Sequence, residues 1–285
     1  MSKKPKARFV TGTSPVGKVA ITTTMVTLTF TFLYPLFYML MNTFKDKYEY
    51  FQSTFAFPKA LDWTNYQVML VDFKIMRYFA NTMIITGSAM ALVLILSTFA
   101  SYAFAKINFK GRTVAYLFVI STLFMPGQAT LIPTYVLFSK YGLINSYWSV
   151  ILSGVVGGVP AAVMLMRSAF MGIPKDLLES AKIDGAGYFT TVFRVVLPVS
   201  MATISIVLIN NFIGNWNSFL APMLYLTEQS KQTIMVALSN LVSRNGSLPT
   251  RQLTGILLSV IPTIILYLFL QRYMVKGVMV GSLKG

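Results

Sequence analysis

An all-α membrane protein with six transmembrane helices is the fold class this sequence predicts, on three observations. The chain has 285 residues, of which 55% are hydrophobic and only 11% charged, whereas soluble domains carry about 25% charged residues. The charges are segregated: residues 19–44, 78–105, 113–139, 141–166, 195–227 and 252–271 contain no Lys, Arg, Asp or Glu. Each stretch reaches the ~18–20 residues a helix needs to cross hydrocarbon ~30 Å thick. A membrane barrel would instead show alternating segments of about ten residues. The third observation is where the positive charge lies. Six spans put both termini on one side, and that side holds 15 of the 24 Lys and Arg residues. The positive-inside rule then places both termini in the cytoplasm. A net charge of +16 would suggest nucleic acid in a soluble chain; here it is topological, and no nucleic-acid partner is expected.

Three domains of the chain follow: an N-terminal cytoplasmic tail over 1–18, the six-helix domain over 19–275, and a C-terminal cytoplasmic tail over 276–285. The basic, then apolar, start superficially resembles a secretory signal. Its apolar part, 19–41, exceeds the ~7–15 residues of a signal core, so it reads as a retained first span with Pro35 near its outer end. Residues 42–78 form an aromatic-rich external loop, read as an interfacial belt with ligand binding as the other reading, and 63–71 as a short helix. Span 2 covers 79–105, followed by a basic turn at 106–112. Span 3 covers 113–138; Pro126, Gly127 and Pro133 predict a bent outer half. Span 4, 148–170, carries Gly154, Gly157, Gly158 and Pro160, which allow close helix approach.

Span 5, 199–221, is the most polar, with Asn210, Asn211, Asn215, Trp216, Asn217 and Ser218. Amides in hydrocarbon are costly without partners or water. Asn211 and Asn215 share a helix face, which lines either a polar cavity or a helix interface. Asn211, Asn215, Trp216 and Asn217 are therefore candidate substrate-path residues, with a belt role the alternative for Trp216. In the second external loop, 222–253, residues 233–242 read as a short helix and Ser243 to Gly246 with Pro249 as a turn. Span 6, 254–271, contains Pro262.

Several chemistries are excluded. There is no Cys and no His, hence no disulfide, no thiolate site and no imidazole base. No phosphate-binding G-x-x-x-x-G-K-[ST] run is present, and no acidic residue lies in a charge-free span, which argues against a proton relay. A transporter built this way draws its energy from a partner.

One charged insert, 171–200, interrupts the hydrophobic pattern between spans 4 and 5. Asp176-Leu-Leu-Glu179 fits a capping arrangement with Asp176 as N-cap, and Gly185 suits a left-handed helix end. The expected helix is about two turns long, ~12 Å, with Leu178, Ala181 and Lys182 on one side. An amphipathic piece, 188–196, leads to Leu197-Pro198.

The run E-S-A-K-I-D-G-A at 179–186, followed after eleven residues by Pro198, resembles the EAA loop of ABC-type importer permeases, E-A-A-x-x-D-G-A with a downstream L-P. Ser180 stands where Ala is commoner. The turn at 104–112, Trp216-Asn217, and the tail Q-R-Y-M-V-K-G at 271–277 ending in Lys284-Gly285 are similar to the carbohydrate, maltose-type branch; the likeness covers about residues 15–285. The resemblance implies a type I importer permease fold in the inner membrane of a prokaryote, with loop 171–198 as a coupling helix seated in an ATPase subunit. Glu179, Ser180, Ala181, Asp184, Gly185 and Ala186 would be its ATPase-coupling residues. It further implies a companion permease, two ATPase subunits that hold ATP and Mg, an extracellular or periplasmic solute-binding protein, and a sugar substrate; this chain itself would bind no cofactor and catalyse nothing. A permease for a non-sugar solute and a membrane scaffold that recruits an ATPase without transport remain the alternatives.

Overall fold

The computed structural model describes residues 15–244 and 248–282. The expected tail over 1–14, the turn at Asn245 and Gly246, and the terminal Lys284-Gly285 lie outside the described residues. Among those described, every regular element is helical. Four helices are long and apolar enough to cross a membrane, and two bent pairs bring the number to six.

Helix α1 (Pro15–Thr43) is continuous through Pro35; it begins within the stretch expected to be tail. Its Thr24, Thr29 and Thr31 hydroxyls donate to the carbonyls four residues back, at 2.7–2.9 Å, so these three hydroxyls are satisfied within the helix. Helix α2 (Lys47–Gln52) is capped by Asp46, whose side chain accepts from the Glu49 amide. Helix α3 (Thr64–Gln67) runs on into a π turn, Val68–Asp72, the short helix expected at 63–71. Helix α4 (Ile75–Lys106) follows.

The third span is broken. Helix α5 (Arg112–Ser121), extended by a 3-10 turn at Thr122–Phe124, and α6 (Gly127–Lys140) meet at 101°. Met125 and Pro126 between them are extended, because the residue before a proline is pushed out of the helical region. The proline at 126 thus makes the expected bend. Helix α7 (Tyr147–Met171) passes through Pro160 unbroken.

The insert then forms α8 (Lys175–Ile183) and α9 (Tyr188–Thr191), a π turn at Val192–Val196, and α10 (Leu197–Val199). Pro198 has no amide hydrogen and its ring crowds the carbonyl four residues back, and the widened π turn accommodates both effects. At Ser200 the chain turns by 84° into α11 (Met201–Trp216). Span 5 therefore ends sooner than expected: α12 (Leu220–Tyr225) is a separate short helix. Helix α13 (Ile234–Arg244) matches the expected short helix and continues through Ser243 and Arg244, which were expected in a turn. Pro249 opens α14 (Pro249–Ser282) rather than closing a loop, as the first turn of a helix tolerates proline.

Helices α4, α7 and α11 make the centre, α14 packs on α11, and α1 packs on α14. Small residues on α4 let α7 close in: Ala89, Ser97 and Ser101 are fully buried, and the Ser101 hydroxyl donates to the Val163 carbonyl at 3.2 Å. At the end opposite the 171–200 insert, polar side chains stitch the loops to the helices. Asn65 donates to the carbonyls of Thr43 and Lys45, both at 2.9 Å. Asn81 donates to those of Ser230 and Gln232 and accepts from Tyr147. The aromatic residues expected as a belt partly pack on one another there, with Phe44, Trp63 and Tyr66 ring centroids 5.0–5.5 Å apart.

Candidate functional site

Two places gather the candidate residues. The first is the insert at one end of the bundle. Its incoming arm leaves α7 at Gly172; Ile173, 4% exposed, anchors it, and Pro174 starts α8. Pro174 is the N-cap and fixes the start two residues earlier than expected, so Asp176 is not the N-cap. It sits inside the first turn, where its charge still complements the helix dipole. The far end closes as expected at Gly185, φ +78°. The Ala186 amide donates to the Ala181 carbonyl at 2.9 Å and the Gly185 amide to that of Lys182 at 3.0 Å. These are the two bonds of a Schellman motif, and they satisfy carbonyls that would otherwise be bare.

The two faces of α8 differ. Leu178 and Ala181, each 9% exposed, face inward, with Leu178 in the central hydrophobic cluster. Ala181 is therefore a packing residue, correcting its place among the residues offered to a partner; the i, i+3 spacing that joined it to Leu178 was right, but that side turns towards the bundle. Glu179, Ser180, Asp184 and Gly185 are exposed and Ala186 is half-buried. The Ser180 hydroxyl returns to the Asp176 carbonyl at 2.8 Å. Ile183 at the tip is 86% exposed, an apolar knob among charges that the sequence reading did not single out.

The second place is a cleft of about 340 Å³ between α7 and α11, lined by Ser153, Gly157, Asn210, Gly214, Asn215 and Ser218 among others. Asn211 and Asn215 also sit at the helix interface. Each amide nitrogen donates to the carbonyl one turn back, Val207 at 2.9 Å and Asn211 at 2.8 Å. The carboxamide oxygens lie where side chains at Gly158 and Gly154 would be. Glycine on α7 and asparagine on α11 thus interlock, and both expected roles, interface and cavity lining, hold for this face. Trp216 and Asn217 fall elsewhere. Trp216 is completely buried, stacks on Phe212 at 5.3 Å, and donates from Nε1 to the Ser259 carbonyl at 2.9 Å. Neither a belt nor a path lining describes it. Asn217 is exposed at the end of α11 and its side chain is outside the cleft lining.

Among the described residues no group of His, Cys, Asp or Glu could hold a metal ion. At the opposite end of the bundle Lys45 is fully buried, its ammonium held by the Ser53 carbonyl at 2.8 Å, and burial pushes its pKa down. Hydrogen bonds from Lys231 and Ser230 hold the exposed Glu228 below the usual carboxylate range.

Residues 97–280 match the family described as binding-protein-dependent transport system inner membrane component. The arabinooligosaccharides transport system permease protein AraQ of Bacillus subtilis is 30% identical over 95% of this chain and 97% of its own. The diacetylchitobiose uptake system permease protein NgcG of Streptomyces coelicolor is 30% identical over 88% of this chain and 83% of its own. In fold, the chain is similar to a bacterial ABC transporter involved in the import of the acidic polysaccharide alginate, with TM-score 0.78 and 22% identity over 95% of this chain and 99% of that one.

Proposed function

The chain belongs to the family of binding-protein-dependent transport system inner membrane components, and from that premise we propose that it is one of two permease subunits that carry an oligosaccharide inward. The observation that carries the reading is α8: a helix closed by a Schellman motif, anchored by Leu178 and Ala181, and presenting Glu179, Ser180, Asp184 and Gly185 off the end of the bundle. Such a rigid polar projection suits the groove of an ATPase subunit. Glu179 makes the acidic contact there, and ATP with Mg²⁺ is bound and hydrolysed by two copies of that subunit. The excess of basic residues expected on the α8 side supports a cytoplasmic location for α8 and both termini. The cleft between α7 and α11 faces a companion permease, and Asn210, Asn211 and Asn215 offer amides to sugar hydroxyls along the shared path. A solute-binding protein delivers the sugar to the opposite end, where 42–78 and 222–253 receive it. The permease names of the similar proteins, arabinooligosaccharides and diacetylchitobiose, support an oligosaccharide.

The test is purification of the tagged chain with whatever accompanies it, followed by ATPase assay with the binding protein and a panel of arabino-, chito- and alginate oligosaccharides. Stimulation by one class, lost in Glu179→Ala while the permease pair still forms, is the expected result. Losing a charged hydrogen-bond partner at an interface costs about 2–5 kcal/mol, enough to remove most stimulation. Recovery of the chain with an ATPase but no response to any solute would favour the scaffold.

A further inference from the structure

Both arms of the 171–200 insert are gripped by one helix that is not its sequence neighbour. The insert connects α7 to α11, yet the last two turns of α4 hold it on both sides. On the incoming arm, the Lys106 ammonium donates to the Ile173 carbonyl at 2.7 Å and reaches the Met171 carbonyl at 3.5 Å. These are carbonyls at the end of α7, where a cation is favoured by the helix dipole and satisfies groups the helix leaves bare. On the outgoing arm, the Tyr102 ring meets Tyr188 edge-on at 5.0 Å, and Phe99 meets Phe189 and Phe193 at 5.7 and 6.1 Å. A further tie joins the two long helices: Arg167 of α7 donates to the Phe104 carbonyl at 3.4 Å and lies 4.1 Å over the Tyr116 ring.

The same helix also reaches the cleft. Val93 of α4 lies against Gly158 and Ala89 against Gly154, the two glycines that face Asn211 and Asn215. Lys106 and Ala89 are ~25 Å apart along the axis at 1.5 Å per residue. One continuous helix therefore touches the insert at its last turns and the wall of the cleft near its middle.

We infer that α4 is the strut through which movement of α8 reaches the cleft, with Lys106, Tyr102 and Phe99 as positioning residues that clamp the insert to it. This rests on the reading of α8 as the ATPase contact. When α8 is displaced, the flanking chain alone would let it swivel about Gly172 and Ser200. The clamp closes both arms onto α4, so displacement becomes a shift of α4 against α7. The ammonium of Lys106 is suited to this because its grip is on backbone carbonyls, which move with the arm whatever side chains it carries.

The experiment uses the complete complex in proteoliposomes with the binding protein and a mixture of arabino-, chito- and alginate oligosaccharides. Sugar trapped inside, read by mass spectrometry, is divided by ATP hydrolysed. For Lys106→Met, the ratio is expected to fall about tenfold, the size of a typical coupling between sites, with ATPase subunits still bound. Lys106→Arg, which keeps the donor, restores it, and Tyr102→Leu lowers it by a clamp on the other arm. A wild-type ratio in both Lys106→Met and Tyr102→Leu overturns the strut. So does loss of the ATPase subunits from both variants, which would make the clamp a folding or docking element. If the wild-type complex itself hydrolyses ATP without moving any sugar, the proposed function fails, a result separate from the comparison of variants.

Discussion

Gly158→Leu is expected to prevent α7 from seating between α4 and α11, and with it to abolish a stable, transport-competent chain. A Cβ at 158 would overlap the Asn211 carboxamide oxygen and stand 2.9 Å from the Val93 Cγ2. Asn211 cannot swing clear cheaply, because it is 9% exposed and its amide nitrogen is tied to the Val207 carbonyl. Val93 is fully buried on the other side. In a bilayer the hydrophobic effect does not hold helices together, so close approach of backbones over small residues supplies much of the association. Overpacking of a filled core costs about 1–3 kcal/mol, and leucine adds three carbons beyond the Cβ that already collides. The check is a thermal unfolding midpoint on purified protein, with Gly158→Ala as the graded step. Gly157, next in sequence, has nothing within 4 Å of its Cβ position, so Gly157→Ala should leave the midpoint unchanged. A wild-type midpoint for Gly158→Leu would mean that the interlock does not exist in the membrane.

That pair of glycines illustrates what was legible in the sequence and what was not. Hydropathy and charge located the spans, and proline chemistry located the break at Pro126. Gly185 announced the left-handed end of α8, because few other residues take φ +78° without strain. Each of these is a local property that the chain carries in its own residues. Facing is harder. The 3.6-residue period put Leu178 and Ala181 together, but not on the buried side, because an amphipathic surface helix with a partner on each face has two good solutions. The start of α8 shifted for a related reason: Asp176 and Pro174 both signal a helix start, and Pro174 came first. The Lys106 clamp gave no signal at all. Its acceptors are backbone carbonyls, which every residue possesses, so no side-chain pattern marks them. Lys106 counted only as a basic residue in a turn, and its contacts became visible once α4 and α7 were side by side.

Trp216→Ala is the second large effect, and it separates packing from passage. Beside amides near the end of a span, Trp216 read as a substrate-path candidate or a belt residue. Its surroundings say otherwise: the ring is wholly buried, stacked on Phe212 with the planes 12° apart, and 5.8 Å from Phe79. Its indole N–H is bonded to the Ser259 carbonyl on α14, one turn before Pro262, which disturbs the hydrogen-bond ladder there. Trp216 is therefore a bolt between α11, α4 and α14. Truncating a buried tryptophan costs about 3–5 kcal/mol in water-soluble cores. In a bilayer the transfer contribution largely vanishes, since lipid is as apolar as the core. Lost dispersion contacts and the indole bond remain, so about 2–3 kcal/mol is expected, the bond itself being about 1. Trp216→Phe, which retains the ring and loses the donor, should fall between the two. Both variants should lower the thermal midpoint and the amount of uptake in parallel while leaving the order of preference among oligosaccharides as in the wild type. A variant of normal stability with a reordered preference would put Trp216 back on the path and require the α11–α14 contact to open during transport.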